Sequence, residues 1–242
     1  MPLTPYNART ALLLGEEAVG FLSSVHVAVA GTGGVGAYAV EMIARSGVGR
    51  ITIIDGDNVA ESNVNRQLPA LVSTVGMSKV EVLKRRILDI NPECTVDALH
   101  MFITPDNIAE CIPDDVDWVV DAIDSISPKV ALIEHCYRHK IKIISSMGAG
   151  GRMDPTQVKY ADISETFHDG LAREVRHRLR RLGISKGVKV VFSTEQPRKN
   201  ALILTDEIAF KASSFGTVAW IPAIFGLMLG AYVINNLTHR FL

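Results

Sequence analysis

Cysteine is scarce in this chain. Three residues, Cys94, Cys111 and Cys136, stand among 242, and none forms a Cys-x-x-Cys pair. That argues against a zinc knuckle and a disulfide framework, so no zinc is expected, and it suits a reducing, cytoplasmic compartment. Net charge is lacking as well. Twenty-five basic residues meet 26 acidic ones, so any attraction to nucleic acid must come from a local basic patch rather than from the whole chain. The opening Met1-Pro2-Leu3-Thr4-Pro5-Tyr6 lacks the basic flank and apolar run of a secretion signal. No repeat, low-complexity tract or linker marks off a second domain. What is plentiful is apolar side chain, 48% of residues, enough to bury one sizeable core.

The stretch that organises the chain is the apolar strand His26-Val27-Ala28-Val29-Ala30 running into Gly31-Thr32-Gly33-Gly34-Val35-Gly36 and then a helical pattern over 37–46. Gly31 permits a tight turn, Gly33 lets the backbone approach a phosphate chain, and Gly36 lets the helix pack closely on its strand. A second strand, Arg50 to Ile54, ends at Asp55, where a carboxylate can accept from a ribose. Strands then alternate with helices. The spacing predicts a leading helix over 6–24, a helix over 79–90 with Ser78 as its N-cap, strands at 95–101, 118–123 and 141–145, a short helix after Pro105, and a helix over 128–140. This pattern predicts a Rossmann-like, doubly wound, mostly parallel α/β sheet in a single domain over 1–242. Residues 1–150 form its nucleotide-binding part.

Residues 151–242 break the rhythm and are read as a substrate-facing extension. Extended pieces are expected at 157–162, 188–192 and 201–205, with a basic helix over 168–182. One long uncharged run, Phe215 to Ile234, is long enough on paper to cross a bilayer. Gly216, Pro222, Gly226 and Gly230 interrupt it, so it reads as a buried closing helix or a subunit interface rather than a membrane span.

A Rossmann start takes either a dinucleotide for hydride transfer or ATP for adenylation. The first is held by backbone N–H groups, whereas a triphosphate needs cations along its length and a carboxylate for Mg²⁺. Arg66 and Lys79 follow Asp55, and Asp124 ends the fourth strand, which suits the triphosphate. Each has a bland alternative: a surface ion pair for Arg66, a solvated lysine for Lys79, an N-cap for Asp124. In the basic helix, Leu171, Val175, Leu179 and Leu182 make one stripe and Arg173, Arg176 and Arg180 another, with Arg181 beyond. Six cations between Arg173 and Lys186 against one Glu174 suggest contact with an RNA backbone, a solvated face being the alternative. His135 and His139 have metal-ligand spacing but are expected to face water.

Gly31 to Gly36, Ile53-Ile54-Asp55-Gly56-Asp57, Asn63-Val64-Asn65-Arg66-Gln67, Gly76-Met77-Ser78-Lys79 and Asp121-Ala122-Ile123-Asp124 together resemble the ThiF-like adenylating enzymes. That superfamily holds the ubiquitin-activating enzymes and the sulfur-carrier adenylyltransferases. Ser145 to Gln157 and Val191 to Glu195 resemble its tRNA-acting branch, the threonylcarbamoyladenosine dehydratases. The resemblance implies ATP-dependent activation of a carboxylate on tRNA followed by ring closure, with ATP and Mg²⁺ as cofactors. It implies an ATP site of Gly31, Gly33, Gly34, Gly36, Asp55, Asp57, Asn63, Arg66, Gln67, Lys79 and Asp124. Within that site Asp55 would hold the ribose, Arg66 and Lys79 the phosphates and developing charge, and Asp124 the metal. It further implies a working homodimer, formed in part by the extension, in which Arg9 enters the partner's ATP site. Other implied partners are tRNA and a cysteine-desulfurase sulfur-transfer system. Glu195 becomes a candidate for the proton acceptor. The alternative within the superfamily is an adenylyltransferase acting on the C-terminus of a small sulfur-carrier protein.

Overall fold

Short β-branched strings bounded by glycine or polar turns form the centre of the molecule, because such residues pack well on a pleated surface buried on both faces. The computed structural model describes residues 6–198, 201–204 and 213–241. Two helices come first, α1 (Ala8–Leu14) and α2 (Glu16–Leu22), followed by β1 (His26–Ala30), α3 (Gly36–Arg45) and β2 (Arg50–Ile54). Next come α4 (Lys79–Ile90), β3 (Thr95–Leu99), α5 (Ile108–Cys111), β4 (Trp118–Asp121), α6 (Ile126–His139) and β5 (Lys142–Ser146). The extension adds β6 (Val158–Asp162), α7 (Gly170–Arg181), β7 (Lys189–Ser193), β8 (Leu202–Leu204), β9 (Ser213–Phe215) and α8 (Trp220–Thr238).

The main sheet has seven strands in the order β3-β2-β1-β4-β5-β7-β6. All neighbours are parallel except β6, which runs antiparallel to β7 at the edge. Strand order reverses between β1 and β4, so their carboxyl ends open a crevice for a ligand. Every residue of β1 and β4 is buried, as expected for strands covered by helices on both faces.

The apolar closing segment is a core element. α8 turns Ile221, Phe225, Leu229 and Val233 into the core and lies closely against α3. Gly226 and Gly230 make that approach possible. A Cβ at Gly226 would lie 2.2 Å from the Val35 carbonyl oxygen, and one at Gly230 would lie 2.7 Å from Met42 Cβ. The helix is long and apolar enough to cross a membrane, yet about half of its apolar window is covered within this fold.

The structure corrects several boundaries. The leading helix is two helices, because Gly15 takes φ 87° and turns the chain between them. Ser78 precedes α4 but does not cap it: its hydroxyl is buried and has no hydrogen-bond partner among the described residues. The strand expected over 201–205 covers Leu202–Leu204 and pairs with β9, while Thr205 to Ala212 lie outside the described residues.

Candidate nucleotide and substrate site

The glycine turn after β1 is as crowded as its sequence implies. A Cβ at Gly36 would meet the Gly31 carbonyl oxygen at 1.8 Å, and one at Gly31 the Ala122 carbonyl oxygen at 2.8 Å, so β1, α3 and the end of β4 meet without side chains between them. Asp55 is locked beside this turn. Its Oδ2 accepts from the Thr32 amide (2.7 Å) and hydroxyl (3.0 Å), and its Oδ1 accepts from the Asp57 amide (2.9 Å). Those bonds fix the carboxylate at the mouth of the crevice with lone-pair capacity to spare.

The loop after β2 is stitched to the start of α4. Val59 N–H donates to Met77, and Lys79 N–H donates to the Asp57 carbonyl. This draws Lys79 inward: it is 3% exposed, and its Nζ donates to Asp57 Oδ2 at 2.7 Å, while Asp57 itself reaches solvent. The solvated-lysine alternative is therefore excluded. Arg66 lies over the glycine turn, its Cγ 3.6 Å from where a Gly34 Cβ would stand, and its Nη1 donates to the Ser62 carbonyl and Asn65 Oδ1, both at 2.8 Å. Burial pushes the Arg66 guanidinium below its ordinary pKa, and the charge of Asp124 opposes that shift. Exposed Asp124, in the turn after β4, thus acts electrostatically on half-buried Arg66. Arg66 is no surface ion pair of the ordinary kind.

Gln67 brings its amide to the same turn, Nε2 lying 3.6 Å from the Cβ position at Gly33. Its Oε1 is buried with no partner among the described residues, a polar atom poised for a ligand. Asn63 contributes less, since its Oδ1 already accepts from Ala60 N–H at 3.2 Å in the turn Glu61–Asn63. The helix beyond Asp124 does not start at Pro128 as expected. α6 begins two residues earlier, with Ser125 at its N-cap position.

Beneath the crevice is a feature the sequence reading missed. Lys129 and Asp121 are both fully buried and pair at 2.6 Å; Lys129 Nζ also donates to Ser145 Oγ and the Ser146 carbonyl, and Ser145 Oγ donates to Asp121 Oδ2. Asp121 Oδ1 accepts from Ile123 N–H at 3.0 Å, which shapes the turn leading to Asp124. A signal was present: Lys129 falls on the apolar stripe of Ile126, Val130 and Ile133, where a charge needs a buried partner. A second buried pair, Arg152 with Asp169 at 3.2 Å, ties the 148–152 turn to α7; Asp169 Oδ1 caps α7 at Ala172 N–H, and its Oδ2 accepts from Gly148 N–H. Glu195, the candidate proton acceptor, is occupied otherwise. Its carboxylate accepts from Met153 N–H (2.9 Å) and Asp154 N–H (2.8 Å), clasping that turn.

On α7, Arg173, Arg180 and Arg181 are exposed, but Arg176 departs from the expected free face. Its Nη1 donates to the carbonyls of Ile163 and Thr166, which pulls it half into the fold. Arg9 is exposed on α1 beside Leu12 and Leu13, which are 88% and 78% exposed. His135 and His139 stack with ring centroids 4.3 Å apart, and no third ligand joins them among the described residues. Burial pushes the Cys94 and Cys136 thiols up to about 12, so neither is a thiolate near neutral pH.

Fold and glycine turn together define a Rossmann-like α/β protein of the nucleotide-binding class. The chain belongs to the ThiF family, whose profile matches residues 6–240. It is 44% identical to the tRNA threonylcarbamoyladenosine dehydratase of Bacillus subtilis over 95% of this chain and 93% of that one. The Escherichia coli dehydratase, solved in complex with ATP, superposes with a TM-score of 0.88 at 40% identity, covering 96% of this chain and 93% of its own. By contrast, the molybdopterin-synthase adenylyltransferase of Haemophilus influenzae is 30% identical over 62% of this chain and 64% of its own.

Proposed function

We propose that this protein uses ATP to dehydrate the threonylcarbamoyl side chain of an adenosine beside the tRNA anticodon, closing it to a ring. What supports this reading is a chain alike over nearly its whole length to dehydratases, in which Arg66 and Gln67 lie on a glycine turn too tight for side chains, Asp124 acts electrostatically on Arg66, and Lys79 is paired with Asp57. The likeness to the sulfur-carrier adenylyltransferase stops at about two thirds of the chain, which disfavours that alternative.

The turn and its N–H groups receive the phosphates, and Asp55 receives the ribose. A carboxylate oxygen of the threonylcarbamoyl group attacks the α-phosphorus, and pyrophosphate leaves. Arg66 and Lys79 stabilise the charge that grows on the phosphate oxygens, an effect strengthened by the half-burial of Arg66 and the near-complete burial of Lys79. Asp124 would be the carboxylate to hold Mg²⁺, and the ion would supply charge neutralisation on the triphosphate. The ureido portion of the same group then attacks the activated carbonyl, loses a proton, and expels AMP with the former carboxylate oxygen. Net loss is one water. No protein nucleophile is required, in keeping with thiols that are buried and protonated.

The working unit is a homodimer in which α1 docks its exposed leucines on the partner and carries Arg9 to the partner's triphosphate. The tRNA backbone lies on Arg173, Arg180 and Arg181, with Arg176 holding the wall behind them. A cysteine-desulfurase system is a further partner, and the protein works in the cytoplasm without a membrane span. The test is mass spectrometry of nucleosides from threonylcarbamoyladenosine-bearing tRNA incubated with the protein, ATP and Mg²⁺. A nucleoside lighter by one water, formed only with ATP, is expected. Pyrophosphate release that depends on a sulfur-carrier protein, with the tRNA unchanged, overturns the reading.

A further inference from the structure

Beside the nucleotide crevice, over the carboxyl ends of β5 and β7, lies an open cavity of about 540 Å³. Its size falls within the ~300–1,000 Å³ range of pockets that take one small organic group. Phe167, His168, Arg173, Gln196, Pro197 and Phe215 supply its walls. Phe167 and Phe215 are 49% and 38% exposed, and both line the cavity.

Both rings are held in place rather than loose. Phe167 meets Phe192 edge to face at 5.6 Å and His168 at 5.1 Å. Phe215 lies on the glycine turn at 148–151, where a Cβ at Gly150 would stand 2.6 Å from Phe215 Cβ. His168 takes φ 54°, costly for a residue with a Cβ, and Arg152 Nη2 fastens it there by donating to its carbonyl oxygen at 3.1 Å. The cavity is linked to the site. Thr217, two residues past Phe215, accepts at its carbonyl from Asn65 Nδ2 (3.0 Å), and Asn65 Oδ1 accepts from Arg66.

We infer that this cavity binds one unstacked nucleobase of the RNA substrate's loop, sandwiched by Phe167 and Phe215, with Arg173 on the adjoining phosphate. Aromatic faces serve any base, and a cation at the rim supplies the charge complement. The inference rests on the tRNA reading above. It gives α7 and the 148–152 turn a common purpose, because the Arg152–Asp169 pair sets both walls.

The experiment uses an anticodon stem-loop carrying threonylcarbamoyladenosine, with 2-aminopurine placed at each loop position in turn. Binding to the wild-type protein should quench the fluorescence strongly at one position. Phe167→Leu and Phe215→Leu, which keep apolar packing from two separate elements, should each remove most of that quench and raise the RNA Kd about fivefold to a hundredfold. ATP affinity, Tm and the salt slope of binding should stay as in wild type. Arg173→Gln should instead lower the salt slope by about one while leaving the quench. Both leucine variants retaining the quench and the Kd would overturn the inference while leaving the dehydratase reading intact. A wild-type protein that neither binds nor converts the RNA overturns both.

Discussion

Asp124 and Lys129 sit a few positions apart on the same turn and helix, yet their substitutions should fail differently. Asp124→Asn keeps the shape but removes the charge that acts on Arg66, so dehydration of the tRNA should fall about 10²–10³-fold with Tm unchanged. An equal loss of stability would mean that Asp124 is structural. Lys129→Met should act through folding. It leaves the Asp121 carboxylate buried without its cation, a change that costs about 3–5 kcal/mol in such pairs. Urea denaturation measures this, and the double variant Asp121→Asn/Lys129→Met should recover part of the loss. Asp124 drew notice as the carboxylate after the fourth strand, which ends earlier than expected, at Asp121. Asp121 and Lys129 were not read as a pair, because eight positions along the chain say nothing about contact until β4 and α6 pack together.

Among the elements, α3 is held on two sides. Glu41 on α3 accepts from Arg45 one turn later and from Arg86 on α4, with bonds of 2.7–2.9 Å. Burial alone would push the Glu41 carboxyl up; hydrogen bonds from Arg86 and Arg45 outweigh it and hold the pKa below the ordinary 4.5. A depressed folded pKa means stability present above about 4.5 and lost as pH falls through the folded value. Glu41→Gln should therefore cost about 1–2 kcal/mol at pH 7. The gap to wild type should close as the unfolding series is taken to acid pH; a gap that does not change with pH would count against the ion pair. On the opposite side, Gly226→Ala should destabilise by about 1–3 kcal/mol despite alanine's better helix propensity, since the new methyl meets the Val35 backbone. A raised Tm for that variant would show that α8 can shift away from α3. The helix itself was visible as an uncharged run. Its interruption by glycines gave a reason to place it in the core, but the partner helix was visible only once the chain had folded.

For the whole molecule the sharpest test concerns two copies. If Arg9 acts in the partner's site, Arg9→Ala and Asp124→Asn homodimers should both be nearly inactive, while mixing and reassociating their subunits should restore activity. A heterodimer then has one site with both defects and one with neither, so about a quarter of wild-type activity is expected in an equal mixture. No recovery, with exchange verified by mass, would place Arg9 in its own subunit's machinery or in none. The exposed Leu12 and Leu13 of α1 should also be shielded from solvent in the dimer, which hydrogen exchange of 8–14 would report.

The sequence by itself determined the parallel sheet, the glycine turn and the set of charged strand-end residues, because periodicity, glycine and strand-end position are local properties of a chain. It also pointed to the amphipathic α7, whose buried Val175 and Leu179 lie on the predicted stripe. Tertiary structure alone decided which of those residues share a place. It buried Lys79 against Asp57, drew Arg176 off the cationic face, spent Glu195 on backbone N–H groups, and set β6 antiparallel at the sheet edge. Each of these depends on contacts between residues far apart in sequence, and their energies are set by desolvation and hydrogen-bond geometry that no local pattern records.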